Sequence, residues 1–193
     1  MALEQLSENL GEAYESVIKR ISNQNKDLAD LAKMALKWIT YAKEPLEIPV
    51  LQHALAWTPM NPDVNEKTLV QPEQLVSWCA GIVTIDQESH LIRLVHYTTQ
   101  TYLEEKLAEP SLSAVHTEIA EICLTYLASD ALSKPCEGYG SLINRVEKYK
   151  LSYYAGRYWG SHVRGEPEES LQSLVMETFG DEERRDSVLQ LTE

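Results

Sequence analysis

The sequence predicts a mainly α-helical protein that contains a single small β-hairpin. Apolar residues recur at helical spacing through most of its 193 residues. The segment 82–95 differs, because it holds two short runs rich in β-branched residues on either side of the polar residues 87–90. After residue 111 the apolar spacing is helical throughout. The chain is therefore expected to have a mixed first part and an all-helical second part.

The first part is predicted to open with three helices. The first of them ends at the polar run 22–25. The second begins near Asp27, whose charge favours a helix N-terminus, and it ends before Pro45, because a residue that precedes proline avoids the helical region. The third is short, with Pro49 in its first turn, and continues to about Ala56.

The next predicted elements are a loop, a short helix, the hairpin and a further helix. The polar stretch 58–68, which contains two prolines, is predicted to be a loop, and Pro72 begins another short helix. The two strands of the hairpin are expected at 82–86 and 91–95, and Thr98 is expected to cap the helix that follows them. After the opening helix, the order of three helices, a hairpin and a further helix is that of a winged-helix domain.

The second part of the chain is predicted to contain only helices and loops. Ser113 is expected to cap its most regular helix, and 129–141 is expected to be a loop. A helix rich in tyrosine follows from Tyr149 onward, and the spacing of Gly156 and Gly160 in it should permit close packing against another helix. Further helices complete the chain.

These patterns predict three segments. They are a helix at 1–24, a winged-helix domain at 25–108 and an all-helical subdomain at 111–193. The fold class is therefore expected to be mainly α, with a winged helix of three helices and a hairpin followed by helices alone.

Charge and composition indicate which partners to expect. The net charge is −13, and an acidic surface repels phosphate backbones. The helix 72–80, which would enter a DNA groove, carries Glu73 and neither Lys nor Arg, and only Gln74 could read a base. No segment approaches the roughly 18 apolar residues of a membrane span. We therefore expect neither nucleic acid nor membrane as a partner.

The cysteines and the N-terminus indicate the compartment. Cys79, Cys123 and Cys136 are odd in number and form no CxxC pair, which is typical of reduced intracellular thiols. The N-terminus has no basic region followed by a long apolar run, as a secretory signal would. A cytoplasmic protein is expected.

Few residues of the chain suggest catalysis. It has neither a glycine-rich phosphate loop nor a GxSxG nucleophile motif, and none of its five histidines makes an HxxxH or HExxH pair. We therefore expect no catalytic residue, no bound metal and no enzymatic activity. The alternative is a hydrolase whose site is assembled in three dimensions from His53, His96, His116 or His162.

His96 is the most informative of these histidines, because it ends the second strand and directly precedes a helix. At such a corner a side chain leaves the core and reaches a neighbour. A histidine there also commonly binds a nearby backbone carbonyl and has no further role, and spacing alone favours this structural interpretation.

Five ordered segments carry a resemblance to a known family. They occupy 51–56, 76–83, 94–102, 123–127 and 154–162. Together they resemble the region that follows the NACHT ATPase domain in large fungal NACHT–ankyrin proteins, which belong to the STAND class of signalling ATPases and are related in architecture to NOD-like receptors. The likeness covers about residues 10–165.

The resemblance implies a regulatory function. A nucleotide-binding NACHT domain would precede this chain and be linked to it by the helix at 1–24, and the helical subdomain at 111–193 would lead toward an ankyrin array. Its partners would be these adjoining domains, with possible self-oligomerisation on activation. ADP or ATP would bind the full-length protein, and the chain itself would hold no cofactor. His96 matches the histidine that contacts the β-phosphate of ADP in related proteins. A winged-helix protein–protein interaction module that acts without nucleotide is the alternative of the same fold.

Overall fold

A computed structural model describes residues 2–59, 64, 67, 69–108 and 111–192, with side chains from residue 11 onward. Within these residues it contains ten α-helices and three short β-strands. In chain order they are α1 (Ala2–Ser22), α2 (Lys26–Tyr41), β1 (Leu46–Glu47), α3 (Ile48–Ala56), α4 (Pro72–Trp78), β2 (Val83–Ile85), β3 (Leu91–Leu94), α5 (Tyr97–Leu107), α6 (Leu112–Leu127), α7 (Tyr139–Lys148), α8 (Ser152–Val163), α9 (Pro167–Phe179) and α10 (Glu182–Gln190). The predicted mainly helical fold class is confirmed.

Contacts divide the chain into two compact units. The first contains Met1–Ile48 and Val70–Ala108, and the second contains Pro49–Leu69 and Glu109–Glu193. From Pro49 onward, α3 therefore belongs with the C-terminal helices, although it lies between elements of the first unit in sequence. The domain limits predicted from the sequence do not separate α3 in this way.

The sheet of the first unit has three antiparallel strands in the order β1-β3-β2. The hairpin of β2 and β3 is confirmed, with strands shorter than predicted. The sequence prediction missed β1, because two residues are too few to show an alternating pattern. In the central strand, Ile92 pairs with Leu46 on one side and Ile85 on the other, and its side chain is buried.

The tight turn of the hairpin is organised by Asp86. One of its carboxylate oxygens accepts hydrogen bonds from the backbone N–H groups of Glu88 and Ser89 at 3.1 and 3.0 Å. The other oxygen pairs with Arg93 at 2.8 Å. These backbone donors, with the nearby guanidinium, lower the pKa of Asp86 from its ordinary value of 3.8.

The core of the first unit forms around α2. Asn25 caps this helix by accepting from the backbone N–H of Asp27 at 3.0 Å, and the helix ends before Pro45 as predicted. The Tyr41 hydroxyl donates to the backbone carbonyl of Glu104 at 2.7 Å and so joins α2 to α5. The buried apolar residues of α2 are Ala29, Ala32, Ala35, Leu36 and Trp38.

The second unit is built around α6, which packs against α8 and α9. Seven of the residues of α6 are buried: Val115, Ile119, Ala120, Cys123, Leu124, Tyr126 and Leu127. The predicted close packing at Gly156 is also observed, because a Cβ there would lie 3.4–3.6 Å from Thr192, Leu191 and Val188. A Cβ at Gly160 would meet nothing within 4 Å, so this glycine is not needed for close packing.

Two side chains, one in α3 and one directly after it, attach that helix to α6. The Trp57 indole, just after the end of α3, donates to Thr125 Oγ1 at 3.1 Å, and its ring centroid lies 4.6 Å from that of Tyr126. The Tyr126 hydroxyl is 3.1 Å from Nδ1 of His53, and both side chains are buried. This paired contact explains why α3 groups with the second unit.

Three local predictions for the second part of the chain are corrected. Ser111, and not Ser113, caps α6, because its hydroxyl accepts from the backbone N–H of Ala114 at 3.1 Å. Residues 129–141 are not one loop, since a short 3-10 turn and the start of α7 lie within them. The aromatic segment is divided at Tyr149, which ends α7 before α8 begins.

One predicted element is only partly visible. The loop expected at 58–68 lies largely outside the described residues.

Candidate functional site

The candidate site is the turn between β3 and α5. The backbone N–H of Val95 still donates to the carbonyl of Ile82 at 3.1 Å, so the ladder continues one residue beyond β3. His96 is extended, with φ −151° and ψ 150°, and α5 begins at the next residue. His96 is therefore the N-cap of α5, and the prediction that Thr98 caps this helix is wrong.

The imidazole of His96 performs the capping. Its Nδ1 accepts from the backbone N–H of Thr98 at 3.3 Å and lies 2.7 Å from Thr98 Oγ1. A backbone N–H can only donate, so Nδ1 carries no proton and the neutral ring is protonated at Nε2. The structural interpretation expected a carbonyl partner, but the partners are a backbone N–H and a hydroxyl.

The other ring nitrogen of His96 faces outward. Among the described residues, none accepts a hydrogen bond from Nε2, and the side chain is exposed. Its neighbours Val95 and Tyr97 are 50% and 76% exposed, and the Tyr97 ring centroid lies 4.5 Å from the imidazole centroid. We call Val95, His96 and Tyr97 the corner. It presents an Nε2–H donor between two exposed apolar side chains.

A second layer of hydroxyl groups lies behind the corner. The Tyr14 hydroxyl, on α1, is 2.7 Å from Thr98 Oγ1, and Thr99 Oγ1 donates to the same hydroxyl at 3.1 Å. The Tyr14 ring packs on Tyr102 of α5 with centroids 5.2 Å apart. The sequence analysis missed Tyr14, because it lies 84 residues from Thr98 and no local pattern connects them.

The remaining histidines of the hydrolase hypothesis lie in the second unit. His53 contacts Tyr126, as described above. His116 and His162 meet through their Nδ1 atoms at 2.9 Å, and Nε2 of the fully buried His162 is 2.9 Å from the Tyr154 hydroxyl. Sequence reasoning did not foresee this pair, which joins residues 46 positions apart.

The surroundings of these histidines bear on the hydrolase hypothesis. Among the described residues, no three His, Cys, Asp or Glu side chains are grouped so that they could hold a metal. The grooves described in the second unit are lined by no histidine. That the chain is not an enzyme stays a prediction.

The buried thiols are not poised as nucleophiles. Burial raises the pKa of Cys79 to about 12 and raises that of Cys123 still further. A thiol is nucleophilic as the thiolate, so neither residue is activated.

In the described part of the chain, every helix is too short or too polar to span a bilayer.

Comparison with known proteins identifies the fold of the first part. Residues 20–116 match the family model described as "GPI inositol-deacylase, winged helix domain". The chain belongs to this winged-helix family. The domain is found in NACHT-containing fungal proteins, in agreement with the resemblance seen in the sequence. His96 lies within the matched residues, at the end of the hairpin of this winged helix.

A curated fungal protein is also similar to the chain. It is the "Azaphilone pigments biosynthesis cluster protein L" of Monascus ruber, which is 26% identical over 194 aligned positions. The alignment covers 89% of this winged-helix chain and 40% of the relative, so the chain spans less than half the length of that protein. No solved structure matches the chain.

Proposed function

We propose that this chain is a non-catalytic regulatory module of a STAND signalling ATPase. It couples the nucleotide state of an adjoining NACHT domain to a downstream ankyrin array. In this proposal Nε2–H of His96 donates a hydrogen bond to the β-phosphate of ADP held by the NACHT domain. The winged helix then acts as a lid on the ADP state, and exchange for ATP releases it.

The observation that carries this proposal is the orientation of His96. Its Nδ1 is used inside the fold, while Nε2–H is exposed. An N–H donor to a phosphate oxygen is a charge-assisted hydrogen bond, which is stronger than a bond between neutral groups. The ring therefore has the free donor that a phosphate contact needs.

The residue type at this N-cap gives a second argument. Ser, Thr, Asp and Asn are the favoured N-cap residues, because a short oxygen-bearing side chain reaches the N–H groups of the first turn. His96 fills the same position with a ring nitrogen at 3.3 Å, a longer hydrogen bond than the 3.0 Å of Asn25 at α2. The fold does not require an imidazole here, whereas a phosphate contact uses one.

The neighbours of His96 give a third argument. Val95 and Tyr97 are large, exposed and apolar on both sides of the histidine. Exposed apolar side chains that cluster around a polar group are typical of an interaction site. Covering them by an adjoining domain would remove water from the His96 contact and strengthen its hydrogen bond to phosphate.

The test is ADP binding by calorimetry in a longer chain that adds the NACHT domain. His96→Ser removes the imidazole but keeps a good N-cap, so loss of binding would not reflect loss of the helix start. A hydrogen bond to a charged group contributes about 1.5–3 kcal/mol, so we expect ADP to bind about 10- to 150-fold more weakly. His90→Asn is the control, because His90 is exposed at the other end of β3 and asparagine tolerates its φ of 55°.

Equal ADP affinity of the wild type and His96→Ser would contradict the nucleotide contact. The exposed side chains of Val95 and Tyr97 would then favour the second candidate, a winged-helix protein–protein interaction module that acts without nucleotide. That function predicts that Tyr97→Ala weakens binding to a partner protein while ADP binding is unchanged.

A further inference from the structure

We infer that Tyr14 is a positioning residue for His96, and that the hydroxyls of Tyr14 and Thr98 hold the imidazole as an Nε2–H donor. The relevance of this role to nucleotide rests on the proposed function, but the geometry stands by itself. Its basis is a continuous line of hydrogen bonds from Thr99 through Tyr14 and Thr98 to Nδ1 of His96.

The backbone N–H of Thr98 sets the direction of the hydrogen bonds in this line. Nδ1 of His96 accepts from the backbone N–H of Thr98, so it must also accept from Thr98 Oγ1 at 2.7 Å. That uses the only hydroxyl proton of Thr98. Tyr14 must therefore donate to Thr98 across their 2.7 Å separation, and it accepts from Thr99 in turn.

The Tyr14 hydroxyl is held in place by its surroundings. Its ring packs against Tyr102, 5.2 Å away between centroids, and its donor Thr99 is fully buried. Each hydroxyl in such a line polarises the next, which strengthens the bonds cooperatively. The Tyr14 hydroxyl thus acts on the exposed ring of His96 through the Thr98 hydroxyl that lies between them.

This line of hydrogen bonds excludes the tautomer of His96 that carries its proton on Nδ1. A proton on Nδ1 would face the backbone N–H of Thr98, and two donors would then point at each other. It would also reverse the hydroxyl contacts, because Nδ1–H would donate to Thr98 Oγ1 and the Thr98 hydroxyl would donate to Tyr14. The backbone N–H of Thr98 and the hydroxyl line together therefore keep the proton of neutral His96 on Nε2, the nitrogen that faces outward.

The experiment measures the ring nitrogens of His96 in this chain. Long-range ¹H–¹⁵N spectra at neutral pH separate a protonated from an unprotonated ring nitrogen, and His96→Ser identifies the signals among the five histidines. We expect one tautomer in the wild type, with the proton on Nε2. In Tyr14→Phe, which keeps the ring and removes the hydroxyl, the two ¹⁵N signals should move toward each other as both tautomers are populated.

Matched variants separate this effect from general loosening. Tyr102→Phe removes a hydroxyl from the ring beside Tyr14 but leaves the line intact, so its His96 spectrum should equal that of the wild type. Thr98→Ser keeps the hydroxyl and should also preserve the tautomer, whereas Thr98→Val should change it as Tyr14→Phe does. Because Thr98→Val and Tyr14→Phe interrupt the same line at different residues, either variant tests it if the other folds poorly.

The result that overturns the inference is an unchanged His96 tautomer in both Tyr14→Phe and Thr98→Val. Calorimetry on the longer chain tests the proposed function separately. There we expect Tyr14→Phe to weaken ADP binding about two- to tenfold, the effect of one hydrogen bond made less often. If His96→Ser leaves ADP affinity unchanged while Tyr14→Phe shifts the tautomer, the nucleotide contact is wrong and the positioning role of Tyr14 stands.

Discussion

Replacement of Tyr126 by phenylalanine tests how α3 is attached to α6 within the second unit. The Tyr126 side chain is fully buried, its hydroxyl lies 3.1 Å from Nδ1 of the buried His53, and burial raises the pKa of the phenol. Tyr126→Phe keeps the ring against Trp57 and removes only the hydroxyl. A hydrogen bond between buried groups that loses one partner costs about 1–3 kcal/mol, so we expect the free energy of unfolding to fall by this amount.

The assay is urea unfolding followed by tryptophan fluorescence. With a urea dependence of about 1–3 kcal/mol per molar, the loss should lower the unfolding midpoint by on the order of 0.5–1 M. Tyr139→Phe is the matched control: Tyr139 is 79% exposed, so its hydroxyl should change the free energy of unfolding by less than about 0.5 kcal/mol. The reasoning is refuted if the two variants unfold at the same urea concentration.

A double-mutant cycle separates the hydrogen bond from other consequences of the change. If the His53–Tyr126 contact contributes as proposed, His53→Leu and Tyr126→Phe together should destabilise the chain by less than the sum of the single changes. Strictly additive effects would mean that the two side chains stabilise the unit independently.

Three further predictions concern other parts of the fold. Gly160→Ala should raise the free energy of unfolding by about 0.5–1 kcal/mol, because a Cβ there meets open space in a helix interior. Gly156→Ala should raise it less, because its Cβ touches three side chains. Urea unfolding measures both changes. A thiol reagent should modify the partly exposed Cys136 well before the buried Cys79, as peptide mass spectrometry would show. The stability that Asp86 adds should be fully present above its ordinary pKa of 3.8, and it should be lost as the pH falls below that value through the lowered pKa of the folded state. The difference in unfolding free energy between the wild type and Asp86→Asn, followed against pH, measures this loss.

Features with a local cause could be predicted from the sequence. Pro45 prevents α2 from continuing through Glu44, and the β-branched runs on either side of 87–90 specify the hairpin, because both effects act between neighbouring residues. The acidic run after Gly180 is an exposed helix start, which acidic residues favour, and Asp181 accepts from the backbone N–H of Arg184 at 2.9 Å.

Features that depend on exact geometry or distant contacts could not be predicted. Ser111 and Ser113 are equally good cap residues in sequence, and only the backbone conformation decides between them. At α5 the cap preference favoured Thr98, but the helix begins two residues earlier than that choice assumes. β1 exists because Leu46 pairs with Ile92, 46 residues away, and its own two residues carry no signal.

The histidines show how two side chains of the same type can differ in the contacts that they leave available. In sequence, His96 and His162 are both single histidines without a metal or catalytic pattern around them. In the structure both ring nitrogens of His162 are used inside the fold, one by His116 and one by Tyr154, and the side chain is fully buried. His96 uses one nitrogen to begin a helix and keeps the other as an exposed donor, so it alone of the two can act on a group outside this chain.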